Sequence, residues 1–110
     1  MRFQHKQLAS GSWKKLSFFE QMANIGSEVE RAISWKEKGN NEYSKHALER
    51  GFELLYLTID DKKNKERLKE LTRLREVLID YFYCDNQFSS TSKLLKKYFY
   101  AFSYAARINR

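Results

Sequence analysis

The side chains with the widest chemical repertoire in this chain are two histidines, His5 and His46, and one cysteine, Cys84. A zinc centre draws three or four such ligands from short spacings on a turn or along one helix face. None of the three has a second His or Cys at that spacing, so no metal site and no other cofactor is expected. Cys84 lacks a neighbouring base or helix N-terminus to stabilise a thiolate, and it reads as a boundary thiol rather than a nucleophile. Asp60 and Asp61 read as turn and cap residues, and no glycine-rich phosphate loop occurs. No catalytic residue is assigned, and the chain is expected not to be an enzyme.

The chemistry that remains is recognition. At about 100° per residue, Lys93, Lys96, Lys97, Tyr100, Tyr104 and Arg107 share the side of one helix opposite Tyr98 and Phe102. Two tyrosines four residues apart among four cations suit base stacking and phosphate contact, or a protein surface. The plainer alternative is amphipathic decoration, with phenol tips in water and the rings along their neighbours. Trp35 joins this candidate surface, because it projects away from the Met22 and Val29 face of its helix, as Leu57 projects away from the Leu48 and Leu55 face of the next. Large apolar side chains left over in this way mark an interface if they cluster. A two-fold homodimer through the surface around Trp35 or around Tyr100 and Tyr104 is the expectation.

Arg75 stands out differently. It falls within the stripe Leu68, Leu71, Leu78 and Phe82, where a buried guanidinium is costly unless paired. A buried ion pair is therefore expected, with Glu28, Glu30, Glu49 or Glu53 as the carboxylate, in preference to a ligand-binding arginine.

The net charge of +7 is unevenly spread. Residues 1–17 carry +4, residues 18–61 carry −4 and residues 62–110 carry +7, so the acidic first half of the folded part should attract the basic second half. The same basic half could engage nucleic-acid phosphates with salt-sensitive affinity, although runs of charge are more often solvated faces.

These side chains have to be positioned by helices. A chain of 110 residues, 42% hydrophobic and 32% charged, has room for one core. Proline is absent and glycine occurs four times, so helical runs have few breaks. Ser17 and Glu20 have capping-box spacing and predict the start of helix 1, whose stripe Phe18, Met22, Ile25, Val29, Ala32 and Ile33 runs to about Lys38. Gly39-Asn40-Asn41 predicts an exit and re-entry. Helix 2 follows with Leu48, Gly51, Phe52, Leu55, Thr58 and Ile59 inward, then helix 3 with Leu68, Leu71, Leu74, Leu78 and Phe82. Thr91 or Ser92 caps helix 4, for which Leu94, Leu95, Tyr98, Ala101, Phe102 and Ala105 are expected inside. Residues 1–16 show no sustained period and are expected to be a flexible segment, with Trp13 and Leu16 docked before helix 1. The fold class is thus all-α: a four-helix antiparallel bundle over residues 17–110. No run is apolar enough to span a bilayer, Met1 to Ser12 lacks a signal-peptide core, and one cysteine forms no internal disulfide, so a cytoplasmic address without a membrane partner is expected.

Three resemblances bear on this. Trp35 to Tyr43, with Leu48, Gly51, Leu55, Thr58 and Ile59, is similar to one tetratricopeptide repeat, which implies a helical hairpin turning near Lys45 rather than at Gly39. Phe18 to Val29 resembles a family of short, uncharacterised prokaryotic helical proteins, a likeness that extends to about Asn109 and brings no activity with it. In outline the chain also resembles the HEPN helical bundles, some of which are toxin ribonucleases or partners of nucleotidyltransferases. Their nuclease motif, an arginine followed a few residues later by a histidine, is met by neither His5 nor His46. A non-enzymatic interaction module that self-associates or binds another protein is the leading expectation. The alternative is an RNA-binding accessory protein using the basic surfaces of helices 3 and 4.

Overall fold

The computed structural model describes residues 11–108 and is all-helical over them. Four α-helices follow one another: α1 Phe18–Glu37, α2 Asn41–Asp60, α3 Leu68–Tyr83 and α4 Ser92–Ile108. A short 3-10 turn, Ser12–Lys15, precedes α1, and a second, Lys62–Arg67, joins α2 to α3.

Each boundary has a local cause. The Ser17 hydroxyl accepts the Glu20 N–H at 3.1 Å while the Glu20 carboxylate accepts the Ser17 N–H at 3.0 Å, closing the capping box at the start of α1. Gly39 takes a φ of 82°, a region open to glycine, and reverses the chain. Asn40 then caps α2 by accepting the Tyr43 N–H at 3.0 Å. This places the turn at Gly39; Lys45, where a tetratricopeptide repeat would turn, lies inside α2. The Thr91 hydroxyl accepts the Leu94 N–H at 3.1 Å at the start of α4. Between α3 and α4 the buried Asp80 carboxylate accepts the N–H groups of Gln87 at 2.8 Å and Phe88 at 3.0 Å, tying the connection back to α3.

The helices pack unequally. α1 lies closely along both α2 and α4, whereas α3 meets α2 over a shorter stretch and stands off from α4. The core is built from Met22, Ile25, Val29 and Ile33 of α1, Leu54 and Leu55 of α2, Leu71, Leu74 and Leu78 of α3, and Leu95 and Phe99 of α4. Gly26 permits the close α1–α4 approach, because a β-carbon there would sit 2.7 Å from the Phe99 β-carbon.

α4 departs from the expected phase. Leu95 and Phe99 are its buried residues, while Leu94 and Ala101 are exposed, so the inward face is turned by roughly 70° at about 100° per residue. Contact with α1 decides this: Phe99 seats against Gly26, and Phe102 stacks edge-on with Phe18 at 5.8 Å. Leu68, also expected inside, is half-exposed at the first turn of α3.

Ahead of α1, Trp13 docks as expected from its place in the sequence. Trp13 is only 2% exposed and its indole N–H donates to the Thr58 hydroxyl at 3.0 Å, so the docked chain begins by Ser12. Residues 1–10 of the segment expected to be flexible lie outside the described residues.

Candidate interaction surfaces

Among the described residues no three of His, Cys, Asp and Glu gather where they could hold a metal ion, and no helix is long and apolar enough to cross a membrane. His46 and Cys84 are both exposed.

The densest polar cluster is structural. The Gln21 amide donates to the Trp13 carbonyl at 3.0 Å and to the Asp61 carboxylate at 2.9 Å, and the Asn64 amide donates to the Gln21 side-chain oxygen at 2.8 Å and the Thr58 carbonyl at 2.9 Å. The Lys63 ammonium pairs with Asp61 and donates to the Lys14 carbonyl. Burial alone would raise the Asp61 carboxyl, but hydrogen bonds from the Lys63 side chain, Gln21 and the Lys63 N–H outweigh it and hold the group below its usual range. Gln21, Thr58, Asp61 and Asn64 are all buried and spend their polar atoms on one another, so the cluster pins the 3-10 turns to the bundle.

The recognition residues read from the sequence fall on the exposed side of α4, and they divide. Lys96 shares an open groove with Arg31 and Trp35 of α1 and with Lys38 just after it. Tyr100 and Arg107 border a second groove with Glu20, Ala23 and Asn24, nearer the start of α1. Lys93, Lys97 and Tyr104 are exposed but line neither. Trp35 is half-buried, meeting the Tyr43 ring edge-on at 4.9 Å beneath the Lys38 ammonium at 5.1 Å. The basic residues Lys96 and Arg107 of α4 thus border α1. Those of α3 go elsewhere: the Arg73 guanidinium lies over the Phe88 ring at 4.5 Å, and Arg75 faces α2.

Among the described residues one ion pair, Asp61 with Lys63, joins the acidic stretch 18–61 to the basic stretch 62–110, and it does so at their junction. The other pairs among those residues are Glu28 with Arg31 and Arg50, and Glu70 with Arg67, and none joins α1 or α2 to α3 or α4. Lys36 crosses instead, lying 4.6 Å over the Tyr81 ring and donating to the Tyr81 carbonyl.

Two apolar grooves that the sequence reading did not anticipate flank α3. One, of about 240 Å³, runs between Glu70, Arg73, Leu74 and Val77 of α3 and Leu94, Leu95 and Tyr98 of α4. It exists because α4 is turned toward α1, which leaves Leu94 57% exposed at its rim. The Tyr98 hydroxyl donates to Glu70 at 3.4 Å, and burial followed by the Glu70 charge raises that phenol strongly. The other, of about 420 Å³, runs between Phe52, Leu55, Tyr56 and Ile59 of α2 and Arg75, Ile79 and Tyr83 of α3. Tyr56 and Tyr83 are more than half exposed there. Burial and then the Glu49 charge raise the Tyr83 phenol.

Arg75 is therefore half-buried in a groove wall rather than paired in the core. It sits to one side of the buried line Leu71, Leu74 and Leu78, and it makes no ion pair among the described residues. Glu28, one of its expected partners, is taken by Arg31 and Arg50.

No protein-family model, curated protein or solved structure matches this chain.

Proposed function

We propose that the chain is a non-enzymatic helical interaction module that self-associates or binds another protein. The observation that carries this reading is the pair of apolar grooves on the two flanks of α3. Aromatic and aliphatic side chains held open on rigid helices gain free energy when a partner covers them, at about 25 cal/mol per Å² of apolar surface removed from water. Leu94→Glu in one groove and Ile79→Glu in the other place a charge where a partner would sit, at positions already partly exposed. Sedimentation across the micromolar range, at low and high salt, is the test. Association that survives salt and is lost in one of these variants, with the helical circular dichroism unchanged, supports the reading. A monomer at every concentration, unaffected by either substitution in any binding assay, counts against it.

A second reading has its own observation. Trp35, Arg31 and Lys38 share a groove with Lys96, an aromatic ring among cations of the kind that holds single-stranded RNA. Glu30 lines the same groove and tempers its charge. Binding to an RNA oligonucleotide that weakens steeply with salt and is lost in Lys96→Glu would favour this reading over the first.

A further inference from the structure

A guanidinium in an apolar wall calls for a carboxylate opposite it. Arg75 lines a groove whose other walls are Phe52, Tyr56, Ile79 and Tyr83, and no described carboxylate pairs with it. A surface that covers this groove without a matching anion would desolvate Arg75 at a cost, and one that brings an anion gains a charge-assisted pair. The chemistry asked of the occupant is therefore an apolar strip with a carboxylate displaced toward one end.

The groove itself has that layout. On α3, Arg75, Ile79 and Tyr83 recur every four residues, so at about 1.5 Å per residue they stand roughly 6 Å apart in one row. α2 runs alongside, with Tyr56, Phe52 and Glu49 in the corresponding row. The end of α2 and the start of α3 meet at the short 62–67 connection, so the two rows run in opposite directions, and the charge of Glu49 felt at Tyr83 agrees with that order. Arg75 and Tyr56 then occupy one end, Ile79 and Phe52 the middle, and Tyr83 and Glu49 the other end. Glu49 is exposed and makes no ion pair among the described residues. Arg75 and Glu49, neither in an ion pair among the described residues, thus stand on either side of an apolar centre. Reversed end for end, the strip is complementary to itself.

Resting on the interaction-module reading above, we propose that the α2/α3 groove binds a second copy of this chain about a two-fold axis near Ile79, each Arg75 meeting the partner's Glu49. Such an interface is isologous, so every contact is made twice and one favourable pair becomes two. The centre is apolar, formed by Ile79 and Phe52 of both copies, and the large rings of Tyr56 and Tyr83 cover the ends. The arrangement differs from a dimer through Trp35 or Tyr100, which line grooves between α1 and α4.

Charge reversal tests the pairing. Wild-type chain should sediment as a dimer at micromolar concentration. Arg75→Glu and Glu49→Arg should each oppose like charges across the axis at both pairs and weaken self-association by roughly a hundredfold, with helical content unchanged. An equimolar mixture of the two variants should restore the dimer, because every cross pair then joins opposite charges. Glu49 is exposed, so its reversal still tests the interface if that of Arg75 unfolds the chain. A wild-type monomer, single variants that dimerise like wild type, or folded variants whose mixture stays monomeric would each overturn the proposal. A wild-type dimer broken by Leu94→Glu and indifferent to both reversals would overturn this interface while leaving the interaction-module reading intact.

Discussion

The end of the bundle clasped by Trp13 and the flanks of α3 treat their side chains in opposite ways. At the clasped end, polar groups from four separate segments are buried and answer one another: Trp13 with Thr58, Gln21 with Asp61, and Asn64 with Gln21. Along α3, large apolar groups remain open and the Arg75 guanidinium has no described anion. Polar clusters draw attention as sites, yet a cluster whose members satisfy each other has little left to offer a ligand. An open apolar groove, by contrast, still has free energy to release on being covered. The difference directs the search for function away from the polar residues and toward the helix with the fewest close neighbours.

That contrast can be broken by substitutions that separate stability from association. The largest expected effect is Trp13→Ala, which empties a fully buried indole site and strips Thr58 of a donor. It should cost about 3–5 kcal/mol in urea unfolding, enough to threaten a domain of ordinary stability. A loss near zero would show that the clasp is ornamental and that the two regions do not differ as described.

Gly26→Ala tests the tightly packed side next. The added carbon meets the Phe99 β-carbon, which moves only with the α4 backbone, so overpacking should cost about 1–3 kcal/mol despite the better helix propensity of alanine. Thermal melts of the two proteins compare directly, and a stabilised variant would mean that α1 and α4 are less closely apposed.

Acid probes the clasp from another side. The Asp61 carboxyl is held below its unfolded value, so its contribution is complete above the ordinary carboxylate range and fades as pH falls through the lowered folded value. Wild type should therefore lose stability more steeply than Asp61→Asn as pH falls below about 4, since an unfolded aspartate titrates near 3.9. Parallel pH profiles of melting temperature would remove Asp61 from the account.

The smallest expected effect sharpens the comparison. Ile79→Ser in the α2/α3 groove should change the unfolding free energy of dilute chain by less than about 0.5–1 kcal/mol, because the side chain is already 39% exposed. Its consequence should appear in sedimentation instead. If Ile79→Ser destabilises as much as Trp13→Ala, the groove belongs to the core and the distinction fails.

What was legible in the sequence by itself is what short-range forces decide. The capping box of Ser17 and Glu20, the reversal at Gly39, the Asn40 cap and the Thr91 cap each rest on bonds or torsions spanning three or four residues, and each stands where the residue types put it. The stripes of α1 and much of α2 and α3 followed too, because Met22, Val29, Leu55 and Leu78 recur at the helical period with polar residues between them. Tertiary structure decided the rest. α4 is apolar or aromatic around most of its circumference, so its period allows several inward faces, and only the absent β-carbon of Gly26 on another helix selects Phe99. The clasp joins Trp13 to Thr58 across 45 residues of sequence, a pairing that no local pattern announces. Arg75 lies close enough to the Leu71 and Leu78 line to read as buried, and only the spacing between α2 and α3 turns its surroundings from a core into a groove. Hydrogen bonds near the backbone act within a turn, whereas the choice of buried face is a contest among whole helices for the same interior.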